Sequence, residues 1–225
     1  MEANNPSSRS PLTRERILQA AVRLADQKGL DALTMRRLGT ELGVEAMSLY
    51  KHIANKDEIL DGMSDLVVGE IEVPSPGAEW REAMRERAVS AREVLSRHSW
   101  AIGLFESRGA RGLSILRYVN AILGNLRSAG FSVDAAVHAF WLLDSYVYGH
   151  VVQETATATG TQEDGTDSAG SAFGEITIDE FPHLVEMEQH ALTSEYSFDA
   201  EFAFGLDLIL DGLEGLRESP PRGEV

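Results

Sequence analysis

The sequence contains no cysteine in 225 residues, which excludes a disulfide framework and any thiolate metal site and fits a reducing compartment. It also lacks any apolar run near the roughly 20 residues that a membrane-spanning helix needs, and its first residues, MEANNPSSRSPLTRER, carry no apolar signal core. A cytoplasmic chain that does not enter the membrane is expected. Three catalytic patterns are missing as well: a G-x-S-x-G elbow, a phosphate-cradling glycine-rich loop and an H-E-x-x-H pair. The six histidines are scattered without metal-ligand spacing. His150 and Glu154 stand one helical turn apart and could share a cation, but a polar pair on a packed helix is the plainer reading. No enzyme, no metal and no cofactor are expected.

Positive charge is scarce too, with 20 Lys/Arg against 36 Asp/Glu and a formal net charge of −16. That sign opposes nucleic-acid binding until the charge is divided along the chain. Residues 1–57 hold nine Lys/Arg against seven Asp/Glu, net +2, and residues 58–225 hold eleven against twenty-nine, net −18. A mildly basic head on an acidic body would dock on phosphates head-first. An acidic surface that serves only solubility accounts for the same numbers.

What is present is helix, and no segment reads as strand, so an all-α fold is expected. Residues 1–11, polar with Pro6 and Pro11, are expected to be disordered. Residues 12–72 read as a first helical domain with a connecting helix. Ile17, Leu18, Ala21, Leu24 and Ala25 mark an amphipathic helix from Thr13 that stops at Gly29. Asn55 followed by Glu58 resembles a capping box and opens a fourth helix that ends before Pro74. The stretch VPSPGAE, Val73 to Glu79, is a joint by composition. The body, 78–217, begins with a helix from Trp80 to about Arg97 and a short apolar piece from Trp100 to Phe105, with Gly103, Gly109 and Gly112 breaking the region after it. A helix from about Leu113 to Ala129 follows, then one capped by Ser132 and running through Val152. Residues 155–175 have almost nothing to bury and are expected to form a mobile loop. Helices from Phe181 to Leu192 and from Phe198 to Arg217 complete the body, and 218–225 is a frayed tail.

The stretch TMRRLGTELGVEAMSLYKHIANK, Thr34 to Lys56, carries the most information. Thr34 is an N-cap candidate, Met35, Leu38 and Leu42 share one helical face, and Gly43 supplies the left-handed turn. A second helix, Glu45 to Lys51, then turns Leu49 back on the first. This is a helix-turn-helix, whose second helix enters the major groove. The L-x-x-x-L-G-V-x-x-x-x-L-Y-x-H-x-x-x-K pattern from Leu38 to Lys56 resembles the tetracycline-repressor-like family of bacterial regulators. Gly130-Phe131-Ser132, Ala203-Phe204-Gly205-Leu206-Asp207 and Gly212-Leu213-Glu214 are similar to the ligand and dimer domain of its tetracycline-repressor subclass.

The resemblance implies a three-helix DNA-binding domain joined by a fourth helix to a larger ligand-binding and dimerisation domain, in a repressor that a small molecule releases from a palindromic operator. It implies base contacts from Arg36, Ala46, Met47, Ser48 and Lys51 and phosphate contacts from Thr34, Tyr50, His52 and Lys56. A guanidinium such as Arg36 can take both acceptors of a guanine edge, while Ala46 and Met47 can offer apolar contact to a thymine methyl. The implied effector positions are Arg87, Ala91, Phe105, Ile122, Val137, Phe140, Trp141 and Asp144. Several depart from the family pattern. Arg87 and Ala91 replace the drug-holding asparagine and phenylalanine, Phe105 replaces the metal-binding histidine, and Gln153 replaces a glutamate of the partner subunit. These departures argue against magnesium-chelated tetracycline and for a bulky, flat, partly apolar effector.

Excess apolar circumference on the helices from Ser132 and Phe198 predicts a homodimer through a four-helix interface. The fourth helix, on the order of 25 Å long, is expected to be the only element joining pocket and groove. A helical scaffold protein that reads no DNA is the alternative.

Overall fold

The computed structural model describes residues 11–108, 112–163, 180–193 and 197–218, and all regular structure among them is helical. Ten α-helices follow in order: α1 Arg14–Lys28, α2 Met35–Leu42, α3 Ala46–Leu49, α4 Lys56–Val68, α5 Trp80–Arg97, α6 Trp100–Arg108, α7 Leu113–Ser128, α8 Val133–Glu163, α9 Pro182–Thr193 and α10 Phe198–Glu218, with a 3-10 turn at Leu30–Ala32. No described helix is long and apolar enough to cross a membrane. The chain divides into two compact units, Met1–Ala129 and Gly130–Val225. The sequence-expected joint at 73–79 therefore lies inside the first.

The first unit starts from a head built on one apolar core. Ile17, Leu18, Ala21 and Leu24 of α1 meet Leu38 of α2, Leu49 of α3, Ile53, and Ile59 and Met63 of α4. Burying each of the larger side chains here is worth about 1.5–3 kcal/mol, far more than propensity can give helices this short. The helix starts are capped by side chains. Thr13 Oγ1 accepts from the Arg16 N–H at 3.2 Å, Thr34 Oγ1 from the Arg37 N–H at 3.2 Å, and Asn55 Oδ1 from the Glu58 N–H at 2.9 Å. Gly62 lets α4 close on α1, since a Cβ there would lie 2.7 Å from the Leu18 methyls. Helices α5, α6 and α7 belong to the same unit, with Trp80, Met84, Ala88, Leu95, Leu104, Ile115 and Leu126 buried.

In the second unit α8 and α10 pack together through aromatic rings. Tyr146 stacks on Phe202 with centroids 5.4 Å apart, and its hydroxyl donates to the Phe202 carbonyl at 2.9 Å. Gly205 is required there, because a Cβ would overlap the Tyr146 hydroxyl. His150 sits edge-on to Phe198 and Phe202. At the start of α8, Gly130 takes φ +98 and Ser132 Oγ accepts from the Ala135 N–H at 3.1 Å.

Three expectations are corrected. Helix α8 does not stop near Val152 but runs to Glu163. The Thr155 and Thr157 hydroxyls donate back to the Val151 and Gln153 carbonyls, so the polar stretch satisfies itself as helix, and extending a formed helix is cheap. Of the expected 155–175 loop, residues 164–175 lie outside the described residues, as do 1–10 and 219–225. Helix α6 passes through Gly103 to Arg108, with the Ser107 hydroxyl bonded to the Gly103 carbonyl at 2.7 Å. Helix α3 is only Ala46–Leu49, because the chain tightens after it, with the His52 N–H on the Leu49 carbonyl at 2.9 Å, to bury Ile53 and reach the Asn55 cap. Helix α4 ends at Val68. Beyond it Ile71 is buried and the Glu72 N–H donates to Ser90 Oγ of α5 at 3.0 Å, which holds the chain off the helix axis.

The cap of α4 generates a pH prediction. Glu58 accepts from the Ala54 N–H at 2.8 Å and from Arg14 Nε at 3.1 Å. The Ala54 bond first, then Arg14, lowers its pKa below the ordinary carboxylate value. A depressed folded pKa contributes stability that is complete above the unfolded value and is lost as pH falls through the folded one. Glu58→Gln should therefore flatten the acid limb of the stability profile, read as thermal midpoints from neutral pH down to about pH 3. An acid limb as steep as that of the unaltered protein would contradict this role.

Candidate nucleic-acid interface

Helices α2 and α3 are brought together by two glycines. Gly43 takes φ 68 and ψ 33, ends α2 and places the Val44 N–H on the Gly39 carbonyl at 2.9 Å. At Gly39 the chain returns so closely that a Cβ would sit 2.9 Å from the Val44 carbonyl oxygen and 3.2 Å from the Ala46 nitrogen. Both neighbours are backbone, so neither can swing aside. With Leu38 and Leu49 at 0% exposure, the relative position of the two helices is set by backbone contact and core together.

The side chains expected to face DNA lie on the outer side of this pair. Arg36, Met47, Tyr50, Lys51, His52 and Lys56 are exposed, Thr34 is exposed with its hydroxyl committed to the cap, and Ala46 and Ser48 are half-buried. Arg36 stands beside Arg37, which is also exposed and donates to the Ala32 carbonyl at 3.4 Å. Lys56 opens α4, whose first-turn amides form an anion-attracting helix end. The acidic Asp57 stands next to them, so the cationic character of this edge depends on how Asp57 is engaged.

Asp57 is engaged by Arg108, at the last turn of α6. Arg108 Nη1 donates to Asp57 Oδ1 at 3.0 Å and Nε to Asp61 Oδ1 at 2.7 Å. Its pKa is raised, chiefly by the bond to Asp61. One turn further along α4, Asp65 Oδ1 accepts from the Ser114 N–H at 2.7 Å and the Ile115 N–H at 3.3 Å. It thus caps α7 from another helix. Gly112 leaves the room: at φ +129 a Cβ there would overlap the Asp65 carboxylate. Three aspartates at i, i+4 and i+8 bind α4 to the ends of α6 and α7.

A second fastening lies at the start of α6. Trp100 Nε1 donates to Asp26 Oδ1 of α1 at 2.7 Å, and His98 Nδ1 lies 2.7 Å from the same oxygen. The Trp100 ring packs against the head core, and Glu70 meets both Arg97, at 3.1 Å, and His98 Nε2, at 3.4 Å. Helix α4 is therefore not the only element of the head tied to α6, since α1 is held as well. At 13 residues α4 spans about 20 Å rather than 25. Sequence reading missed both fastenings. The acidic i, i+4, i+8 row on α4 was visible, but its partners lie 47 to 51 positions away.

Of the expected effector residues, four lie in the first unit. Arg87 of α5 is 1% exposed, donates from Nε to the Tyr118 hydroxyl at 2.7 Å and places its guanidinium 5.1 Å from the Tyr118 ring centroid. Ala91 and Ile122 are buried on α5 and α7, which pack on each other, and Phe105 is half-buried on α6. The other four lie on α8 in the second unit: Asp144 is buried, Phe140 half-buried, and Val137 and Trp141 are exposed. Phe140 and Trp141 meet edge to face at 5.3 Å. No group of three metal-ligating side chains occurs among the described residues.

Arg108→Ala should lower stability by about 1–2 kcal/mol, because two charge-assisted bonds go and two carboxylates are left facing each other. Arg108→Lys should recover only part, since an ammonium cannot fork to both carboxylates. Urea unfolding of the three proteins measures this, and equal stabilities would show that the contact contributes nothing.

Two regions of the chain match known families. Residues 17–63 match the family described as bacterial regulatory proteins, tetR family, and residues 73–217 match the tetracyclin repressor-like C-terminal domain. The chain is 31% identical to the HTH-type transcriptional repressor DrrR1 of Streptomyces coeruleorubidus, over 93% of this chain and 81% of that protein. It is 31% identical to the tetracycline repressor protein class A from transposon 1721 of Escherichia coli, over 92% and 96%. Among solved structures it is similar to the TetR family protein ActR of Streptomyces coelicolor in complex with actinorhodin, with a TM-score of 0.75 and 31% identity over 93% of this chain and all of that one.

Proposed function

The chain belongs to the tetR family of bacterial regulatory proteins, and from that premise we propose a homodimeric repressor that binds a palindromic operator through paired α2–α3 units and leaves it when a small molecule binds. The observation that carries the DNA reading is the rigid α2–α3 pair, closed at Gly39 and presenting Arg36, Met47, Lys51, His52 and Lys56 to solvent. In this proposal Arg36, Ala46, Met47, Ser48 and Lys51 face bases, and Thr34, Tyr50, His52 and Lys56 face phosphates. Residues 12–72 read DNA and residues 78–217 hold the effector and the dimer contact. The protein works in the cytoplasm and catalyses nothing.

Effector contacts in the first unit fall to Arg87, Ala91, Phe105 and Ile122, where the Arg87–Tyr118 pair supplies a polar point among apolar neighbours. In the second unit they fall to Val137, Phe140, Trp141 and Asp144. An effector of aromatic, partly apolar character needs no bound cation there. The relatives fit such a range, since ActR is seen with actinorhodin.

The dimer contact is proposed for α8 and α10. Phe204, Leu208 and Leu216, at 64%, 57% and 46% exposure, stand with Gly212 in one row of i+4 steps on α10, and Leu142 and Val152 are exposed on α8. Packed against the same row of a second copy, they form a four-helix interface about a twofold axis. Leu208→Asp should convert dimer to folded monomer in sedimentation at micromolar concentration. A dimer that persists would place the contact elsewhere.

The operator reading is tested on duplexes selected by the protein from random DNA. Arg36→Ala should cost roughly 1–3 kcal/mol and relax preference at one base pair per half-site, whereas Lys56→Ala should weaken all sequences alike and reduce the salt slope by about 1. Binding without sequence preference, or indifferent to salt, would favour the scaffold alternative.

A further inference from the structure

His98 closes α5, with its N–H on the Val94 carbonyl at 3.0 Å, and its ring is buried between two carboxylates from distant parts of the chain. Nδ1 lies 2.7 Å from Asp26 Oδ1 and Nε2 lies 3.4 Å from Glu70 Oε2, with the His98 side chain only 9% exposed. The charged groups about the ring come from three elements. Helix α1 supplies Asp26, whose Oδ1 also accepts from Trp100 Nε1 at 2.7 Å. The turn just beyond α4 supplies Glu70, and α5 supplies Arg97, whose Nη2 donates to Glu70 Oε2 at 3.1 Å. Helix α6 presents the uncharged Trp100 ring, edge-on with centroids 6.0 Å apart.

The Asp26 contact fixes one of the two ring nitrogens. A carboxylate has nothing to donate, so at 2.7 Å Nδ1 must carry a proton, and the charge of His98 is decided at Nε2, against Glu70. With Nε2 protonated, two carboxylates meet one guanidinium and one imidazolium, and the cluster is balanced. With Nε2 bare, a lone pair faces the Glu70 carboxylate and one negative charge is left over. The bonds from Trp100 and Nδ1 to Asp26 survive in both forms.

We infer that His98 is a proton-dependent clasp on the end of α4: charged, it holds Glu70 as well as Asp26, and neutral, it keeps Asp26 and releases Glu70. An imidazole changes charge between about pH 5 and 8. The hold is therefore complete on the acid side of that range and is lost as the pH rises through it. The element that loosens is the turn after α4, where the Glu70 and Ile71 N–H groups bond to the Val67 and Val68 carbonyls at 3.1 Å and Ile71 is buried. The clasp acts on the seat of α4 and stands independently of the operator reading.

Two variants of the full-length protein test it. His98→Gln places a group at the site that does not titrate, and Glu70→Gln removes the carboxylate from a side chain that is 45% exposed and carries no core. Thermal midpoints are measured at about pH 5.5 and about pH 8.5, on either side of the ordinary imidazole range. The gap between the unaltered protein and each variant should be about 2 °C wider at the acid value, as expected for one partly exposed ion pair. Combining the two substitutions should remove no further pH dependence. Amide hydrogen exchange, expressed as protection over the unstructured rate at each pH, supplies the local readout. Protection at Ile71 should fall about threefold from the acid to the alkaline value in the unaltered protein and stay level in both variants. A gap that is equal at the two pH values, or wider at the alkaline one, overturns the inference and leaves His98 a packing residue. So does a gap that narrows without any change at Ile71, because the proton then acts elsewhere. Should His98→Gln fail to fold, the Glu70→Gln comparison decides alone by the same criteria.

Discussion

The structure depends on α4 serving two neighbours with one short helix. Its apolar side, Ile59, Met63 and Val67, is fully buried, with Ile59 and Met63 completing the core of the head. Its acidic edge, Asp57, Asp61 and Asp65, receives Arg108 and the first amides of α7. Neither face can be altered without the other following, because 13 residues of helix are too few to bend between them. The dual load also explains the small residues around it. Gly62 admits Leu18 on one side, and Gly112 admits the Asp65 carboxylate on the other.

Charge follows the same division. The acidic excess begins where α4 begins, and three of its first carboxylates are engaged by Arg108 and the first amides of α7, Asp57 while still largely exposed. Lys56, at the start of α4, is left exposed. Engagement of Asp57 by Arg108 offsets one carboxylate beside the surface proposed to meet phosphate, in the same sense as the +2 against −18 split of the whole chain.

Much of this was legible in the sequence because the signals are local. Thr34 and Asn55 are caps by residue type, Gly43 is left-handed by position, and the 3.6 periodicity of α1 and α4 names their buried faces. The length of α8 was not legible, because a threonine-rich stretch reads as loop by composition, yet its hydroxyls can return to carbonyls one turn back. The brevity of α3 was hidden for the opposite reason: its residues suit a helix, and burial of Ile53 pulls the chain out of one. Asp26, Asp65 and Arg108 were missed since their roles exist only between segments 47 to 74 positions apart. The exposure of Met47 lay between these cases, its place in the motif visible and its isolation on α3 not.

The fastenings of the head differ in the work needed to remake them. Trp100 adds its ring to the head core while bonding to Asp26, so releasing it exposes apolar surface; Asp65 meets backbone amides in a partly buried site, and breaking that cap leaves them unpaired. The Arg108 contact is different. Its Asp57 arm is 73% exposed, and an exposed ion pair is worth only about 0–1 kcal/mol. Inverting a 99:1 mixture of two states takes about 5.5 kcal/mol of differential binding. Loss of the Arg108–Asp57 arm is a small share of a state difference of that size, whereas extracting Trp100 from the core or uncapping α7 would be a large one. The head is therefore firmly seated at α1 and at the middle of α4 and loosely held at the first turn of α4, beside the surface proposed to meet DNA.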